Sequence, residues 1–176
     1  SGLVGSEMCI RDSIQAVPVP AEGKTELFLA VRIGAGRVEE AHAALAGAAE
    51  QADGLVVASP VYYASANATL VACLDRLFYI SSFDKTMKVG ASVVCARRGG
   101  CSATFDELNK YFTISGMPVA SSQYWNSIHG RAPGEAEQDG EGRQTMRTLA
   151  RNMTFLMKSI ALGKEQFGLP EKEERI

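Results

Sequence analysis

The chain reads as a single three-layer α/β domain built on a doubly wound parallel sheet. Three observations predict this. Short apolar runs such as Leu55-Val56-Val57-Ala58 and Val89 to Ala96 lack polar alternation and are too short for helices. They look like parallel strands covered on both faces. Between such runs lie segments with apolar residues at helical spacing, and repeated strand–helix alternation implies parallel pairing with helices on both faces. The 176 residues, 46% hydrophobic and 22% charged, suit one ordinary globular domain with a real core.

Residues 1–13 are expected to be a non-native leader. Glu7-Met8-Cys9-Ile10-Arg11-Asp12-Ser13 reads like a translated transposon end from a sequencing library. Residues 14–165 form the expected domain, and 166–176 a charged tail. Within the domain, residues 14–25 carry Pro18, Pro20 and Gly23 and read as irregular. Glu26 to Ile33 is the first expected strand. Val38 to Gln51 follows as a helix, with Val38, Ala41, Leu45 and Ala48 on one side. Gly54 to Ser59 is the second strand.

Ala66 to Tyr79 is the next helix, with Ser65 or Asn67 as its cap and a stripe of Leu70, Cys73, Leu74, Leu77 and Phe78. The strand Val89 to Ala96 ends at Arg97-Arg98-Gly99-Gly100. Thr104 and Glu107 have the spacing of a capping box, so a helix is expected to open there and to end near Gly116 and Pro118. Pro118 to Ser122 is expected as a short strand and residues 130–141 as a polar loop. Gly142 to Leu162 is a long helix with Met146, Leu149, Met153, Leu156 and Ile160 on one face. The chain from Gly163 is expected to fray.

The net charge is −2 and no basic run stands out, which argues against nucleic acid or an anionic membrane as partner. No apolar stretch reaches the ~18 residues of a membrane span. The four cysteines form no C-x-x-C pair, and His42 and His129 lie far apart in sequence. No metal site is expected, and reduced thiols in the cytoplasm are the expected state.

Open α/β sheets bind ligands at the carboxyl ends of their strands. Three loops are expected to meet there: Ser59 to Asn67, Arg97 to Ser102, and Gln123 to His129. The first brings Tyr62 and Tyr63, flat surfaces for a planar ring. The second brings Gly99 and Gly100, where bare backbone amides approach a ligand closely, and the cations Arg97 and Arg98. The third offers Trp125 and Asn126. Together they suit a planar heteroaromatic cofactor. Elsewhere plainer roles are expected. His129 is read as a loop residue, His42 as part of a solvated helix face, and Cys95 and Cys101 as packing residues. Asp75 and Arg76 are read as surface or interface contacts, and Trp125 as a dimer-interface anchor.

The segments SPVYYASANATLVACLDRLFY, VCARRGGCSATFDELNKYFTISGMPVASSQYWNSIHG and RTLARNMTFLMKSI carry a more specific signal. Over residues 38–165 the chain resembles the flavodoxin-like NAD(P)H-dependent FMN reductase family. The resemblance implies a flavodoxin-like fold, FMN as cofactor, NAD(P)H as co-substrate and a homodimer whose interface borders the flavin. It implies that Ser59, Pro60, Val61, Tyr62, Tyr63 and Asn67 line the isoalloxazine. Arg97, Arg98, Gly99 and Gly100 then reach its pyrimidine edge. No side chain is expected to be a catalytic acid or base, because the bond-making belongs to the flavin. The family opens with a strand and an S-x-R-x-x-G-N-T phosphate loop, which residues 14–37 do not contain. A chain lacking that first strand and loop is therefore expected. The function implied is hydride transfer from nicotinamide through flavin to a small acceptor such as a quinone or a flavin. The alternatives are an electron-transfer flavoprotein without enzymatic activity and a truncated chain that no longer binds FMN.

Overall fold

The computed structural model describes residues 15–21, 24–31 and 38–174, with side chains from residue 45 onward. A sheet of order β1-β2-β3-β4-β5 comprises Gln15–Ala21, Lys24–Val31, Gly54–Pro60, Val89–Ala96 and Ser127–His129. β1 is antiparallel to β2, and β2 through β5 are parallel. Helices α1 (Val38–Gln51), α2 (Ala68–Ile80), α3 (Cys101–Ile114), the short α4 (Glu135–Gln138) and α5 (Gly140–Phe167) complete the domain. The crossover helices α1, α2 and α3 share one face of the sheet, as sequential parallel strand order requires, and α5, which follows the last strand, covers the other.

Residues 15–21 form a strand where an irregular segment was expected. Ala21 pairs with Lys24 across a two-residue connection, and Pro18 and Pro20 pair with Leu27 and Thr25. In that register the prolines fall on the pairs that exchange no ladder hydrogen bonds. β1 is also an edge strand, where a missing N–H faces outward at no cost. The expected leader, residues 1–13, and the expected end of the first strand at Ile33 lie outside the described residues.

One core lies under α1, α2 and α3. Leu45 and Ala49 of α1 meet Leu70, Cys73, Leu74 and Leu77 of α2, and Leu108 and Phe112 of α3, over Leu55, Val57 and Val94 of the sheet. Asn67 caps α2, its side chain accepting from Leu70 N at 3.1 Å. Lys88 Nζ donates to the carbonyls of Glu50 (2.9 Å) and Ala52 (2.5 Å), closing the end of α1. The second core lies under α5. There Leu149, Met153 and Met157 pack on Val89, Ala91 and Ala120.

The most buried residues of α5 are Gly142, Thr145, Leu149, Met153 and Met157; of the expected face, Leu149 and Met153 are buried and Leu156 and Ile160 pack against the same core. Gly142 lies so close to Ile128 that a Cβ would stand 2.8 Å from Ile128 Cγ1. A Cβ on Gly54 would stand 2.6 Å from Met153 Cε, so α5 seals the amino end of β3. The carboxyl end is not sealed on that face, and Ala58 is exposed. β3 is thus fully covered on one face only, a correction to its all-apolar appearance. α5 also persists to Phe167 rather than fraying at Gly163, and residues 130–141 contain α4 and the start of α5.

α3 begins at Cys101, with Gly100 as its cap in the left-handed region (φ 90°). The expected Thr104–Glu107 capping box is therefore inside the helix. Thr104 is buried and its Oγ1 donates back to Gly100 O at 3.1 Å, while Glu107 is committed to a different loop. α3 closes as a Schellman turn: Gly116 (φ 67°) follows the cap, Met117 N donates to Phe112 O at 3.0 Å and Gly116 N to Thr113 O at 3.3 Å. The expected strand over Pro118 to Ser122 shrinks to a single bridge, Gly90↔Val119. The chain then bulges outward and rejoins β4 at Ser127.

Phe112 lies on Gly90 of β4. A Cβ on Gly90 would stand 2.4 Å from Phe112 Cγ, and both residues are buried. Gly90→Ala is expected to cost about 1–3 kcal/mol by overpacking. Urea unfolding reads this as a lower midpoint at an unchanged slope.

Candidate functional site

Because β3, β4 and β5 are parallel and in register, their carboxyl ends share one edge. The loop after β3 begins with a hydrogen bond from Val61 N to Cys95 O at 2.9 Å. It then folds into a tight turn. Tyr62 N donates to Ser65 O (2.9 Å) and Ser65 N to Tyr62 O (3.0 Å), with Tyr63 at φ 51° and Ala64 at φ 60°. These are the backbone angles of a type I′ turn, which usually draws Asn and Gly. Left-handed backbone costs an L-residue about 1–2 kcal/mol, so two such residues in a row must be held by something else.

Three side chains hold them. Glu107, reaching from α3, accepts from Ser65 Oγ at 2.9 Å and from Ala66 N at 2.9 Å. Ser59, buried at 3% exposure, accepts from Asn67 N at 2.9 Å and donates to Pro60 O at 2.8 Å. Asn67 caps α2. The turn thus presents Tyr63 fully to solvent and Tyr62 at the margin of exposure.

The loop after β4 is joined to the first. A Cβ on Gly100 would stand 2.9 Å from Val61 Cγ1 and 3.0 Å from Ala64 Cα. Only a glycine, already at φ 90°, permits that approach. Gly99 faces open space, and Arg97 and Arg98 are exposed. Arg97 lies within electrostatic reach of Glu135 on α4, whose carboxyl is held down chiefly by the N–H groups of Ala132 and Arg131. The structure therefore gathers all ten expected residues, Ser59 to Tyr63, Asn67 and Arg97 to Gly100, around one sheet edge. Ser59 and Asn67 act there as struts of the turn.

The third loop departs from expectation. Residues 121–126 bulge from the side of β4 instead of leaving a strand's carboxyl end. Tyr124 and Trp125 are exposed, and their rings meet at a tilt of 50° with centroids 5.2 Å apart. Asn126 turns inward, 1% exposed, and its carbonyl accepts from Val94 N at 2.9 Å. Its side-chain Oδ1 and Nδ2 are buried and have no hydrogen-bond partner. An unpaired buried amide costs about 1–3 kcal/mol.

The segment that does reach the carboxyl edge is His129 and Gly130. Gly130 N donates to Ala96 O at 3.1 Å. His129 Nε2 stands 3.7 Å from Cys101 Sγ, and its Nδ1 3.6 Å from Asp139 Oδ2. Read singly, these were a loop histidine and a packing cysteine. Their 28-residue separation carries no signal until the sheet brings β5 beside α3. Glu107, read as part of a cap, is likewise a site residue that only the fold reveals.

Residues 18–131 match the model of the NADPH-dependent FMN reductase family. The chain belongs to that family. Among curated relatives, it is 30% identical over 119 residues to an iron-sulfur flavoprotein of Methanocaldococcus jannaschii, covering 63% of this chain and 62% of that one. It is 32% identical over 119 residues to an iron-sulfur flavoprotein of Methanosarcina thermophila, covering 65% and 61%. The chain thus spans less than two thirds of the length of these relatives. A flavodoxin, WrbA-like protein from Agrobacterium tumefaciens superposes with a TM-score of 0.53 at 15% identity, over 74% of this chain and 96% of that one. This likeness shows the flavodoxin-like fold, as expected of the FMN reductase family. Among the described residues, no group of His, Cys, Asp and Glu is arranged to hold a metal ion, and no helix is long and apolar enough to cross a membrane.

Glu107→Ala removes the acceptor that pins the turn and leaves the Ala66 N–H without one. A loss of about 1–3 kcal/mol is expected. Hydrogen exchange should quicken at residues 62–67 and stay unchanged in β4; uniform acceleration would contradict a local strut.

The Asp139 carboxyl is held below its ordinary range, first by the Gly142 N–H at the start of α5 and also by the His129 N–H. A depressed folded-state value gives stability that is present above the unfolded value and lost as pH falls through the folded one. The stability gap between wild type and Asp139→Asn should therefore narrow as pH drops below about 4, as read from thermal midpoints across pH.

Proposed function

We propose that the chain is a flavin-dependent oxidoreductase that binds FMN at the β3–β4–β5 edge and passes electrons from NAD(P)H to a small acceptor such as a quinone or a flavin. The observation that carries this reading is the close approach of Gly100 to Ala64 and Val61. It locks an aromatic turn and a cationic glycine loop into one rigid rim, on a chain of the FMN reductase family. A flat ring needs such a rim, because loops that move independently would lose the ordering entropy at every binding event.

The residues present fit the ring end of FMN. Tyr62 and Tyr63 offer aromatic surface on a turn whose backbone strain is already offset by Glu107 and Ser59. Gly99 and Gly100 leave room beside their backbone. Arg98, and Arg97 beyond its attraction to Glu135, supply positive charge. When bound, FMN supplies the capacity to accept hydride from a nicotinamide and to release electrons singly or in pairs. The chain's part is to orient the ring, exclude water from one face and bias the charge of the reduced state. The exposed Tyr124–Trp125 pair is the apolar surface we assign to a homodimer contact, in keeping with enrichment of aromatics at such interfaces.

Titrating the purified chain into FMN should quench flavin fluorescence, and adding NADH or NADPH with a quinone should then consume the nicotinamide. An unquenched signal would refute the binding site. Gly100→Val should weaken FMN binding by at least about tenfold, since a clash costing ~1.4 kcal/mol suffices. Replacing both Arg97 and Arg98 with Ala should lower the flavin reduction potential by removing charge that favours the anionic reduced form. An unchanged potential would remove the arginines from that role.

A further inference from the structure

Cys101, His129 and Asp139 come from three separate elements and form a nucleophile–base–orienter line. Cys101 is the first residue of α3, a helix of 14 residues. His129 ends β5, and Asp139 caps α5. Asp139 is fixed through both oxygens: Oδ2 accepts from His129 N at 2.7 Å and Oδ1 from Gly142 N at 2.9 Å. Gly142 permits this, for a Cβ there would stand 2.5 Å from Asp139 Oδ2. The carboxylate so held faces His129 Nδ1 at 3.6 Å, while Nε2 faces Cys101 Sγ at 3.7 Å. Such distances are typical of nucleophile–base pairs before a substrate tightens them.

We propose that Cys101 is a thiol-exchange site for small anionic disulfides, with His129 as its base and Asp139 as the positioning residue. The proposed chemistry needs no flavin, although its anionic preference draws on the same Arg97 and Arg98. His129 Nε2 takes the proton from Cys101 Sγ as the sulfur attacks one sulfur of the disulfide. The S–S bond of the reagent breaks, a mixed disulfide forms on Cys101, and the departing thiolate receives the proton from His129. Atoms and electrons balance without a further oxidant, since one disulfide is exchanged for another. Burial pushes the Cys101 thiol up, so free thiolate is scarce and the exchange depends on the base. As the imidazolium forms, the Asp139 carboxylate stabilises it. The N-terminal end of α3 favours negative charge on the sulfur.

Charge selects the partner. Arg97 and Arg98 lie on the loop just before Cys101, and Arg131 follows β5; all three are exposed. The carboxylates nearby are engaged, Asp139 as above and Glu135 by the N–H groups of Arg131 and Ala132. A disulfide bearing carboxylates fits this rim better than a cationic one.

The test is to incubate the full chain with oxidised glutathione and locate the adduct by peptide mass mapping over time. Cys101 should be modified well before buried Cys73. His129→Ala should slow modification of Cys101 by roughly 100-fold, and added imidazole should restore much of the rate. His129→Gln, which keeps the side-chain bulk, should show the same loss, and Asp139→Asn a smaller one. Cystamine, a cationic disulfide, should react more slowly than oxidised glutathione. A Cys101 rate unchanged by either His129 substitution, or a lost rate that imidazole does not restore, would overturn the base assignment. Faster reaction with cystamine would overturn the anionic preference.

Discussion

Seven paired positions tie β3 to β4, from Gly54↔Val89 to Pro60↔Cys95, and every loop of the site hangs from that ladder. A parallel register is unforgiving, because a slip of one residue would turn each side chain to the opposite face. Here the register is set from both sides. Phe112 of α3 fills the space above Gly90, and Met153 and Met157 of α5 fill the space beside Gly54. Two strand glycines thus serve as sockets for side chains from opposite layers. The carboxyl ends of β3 and β4 then stop level, and Val61 N can reach Cys95 O.

What the ladder positions, a few polar groups stabilise. The Tyr62–Ser65 turn has the backbone of a glycine turn without glycine, and its strain is offset by the Glu107 carboxylate and the Ser59 hydroxyl. Strain over-determined by its surroundings is a mark of functional loops. The same economy recurs at Asp139, which caps α5, bonds the backbone of His129 and faces its ring. In each case one carboxylate ties a helix to a loop, so the loops take their geometry from rigid elements.

The strand cores and α1 were legible because continuous apolar runs and helical spacing are local properties. β4 at Val89–Ala96 and α1 at Val38–Gln51 match their expected limits. The edges were less legible. Proline looks like a strand breaker until the register of β1 shows its nitrogens on the unpaired side. Thr104 and Glu107 have cap spacing, yet Gly100 starts the helix earlier because its positive φ lets the chain press against Ala64.

The candidate site divides the same way. The sequence by itself determined which residues gather at the strand ends, from Ser59 to Asn67 and from Arg97 to Gly100, because strand ends follow from local patterning and parallel topology follows from alternation. It also carried the family pattern. Only the tertiary structure decided which side chains meet across elements. Glu107 reaches Ser65 over 42 positions and His129 reaches Cys101 over 28. Asn126 is buried where it was expected to face a ligand from a strand-end loop. Such meetings depend on how layers pack, and helical periodicity shows which face of a helix is buried but not which residue of another element it meets.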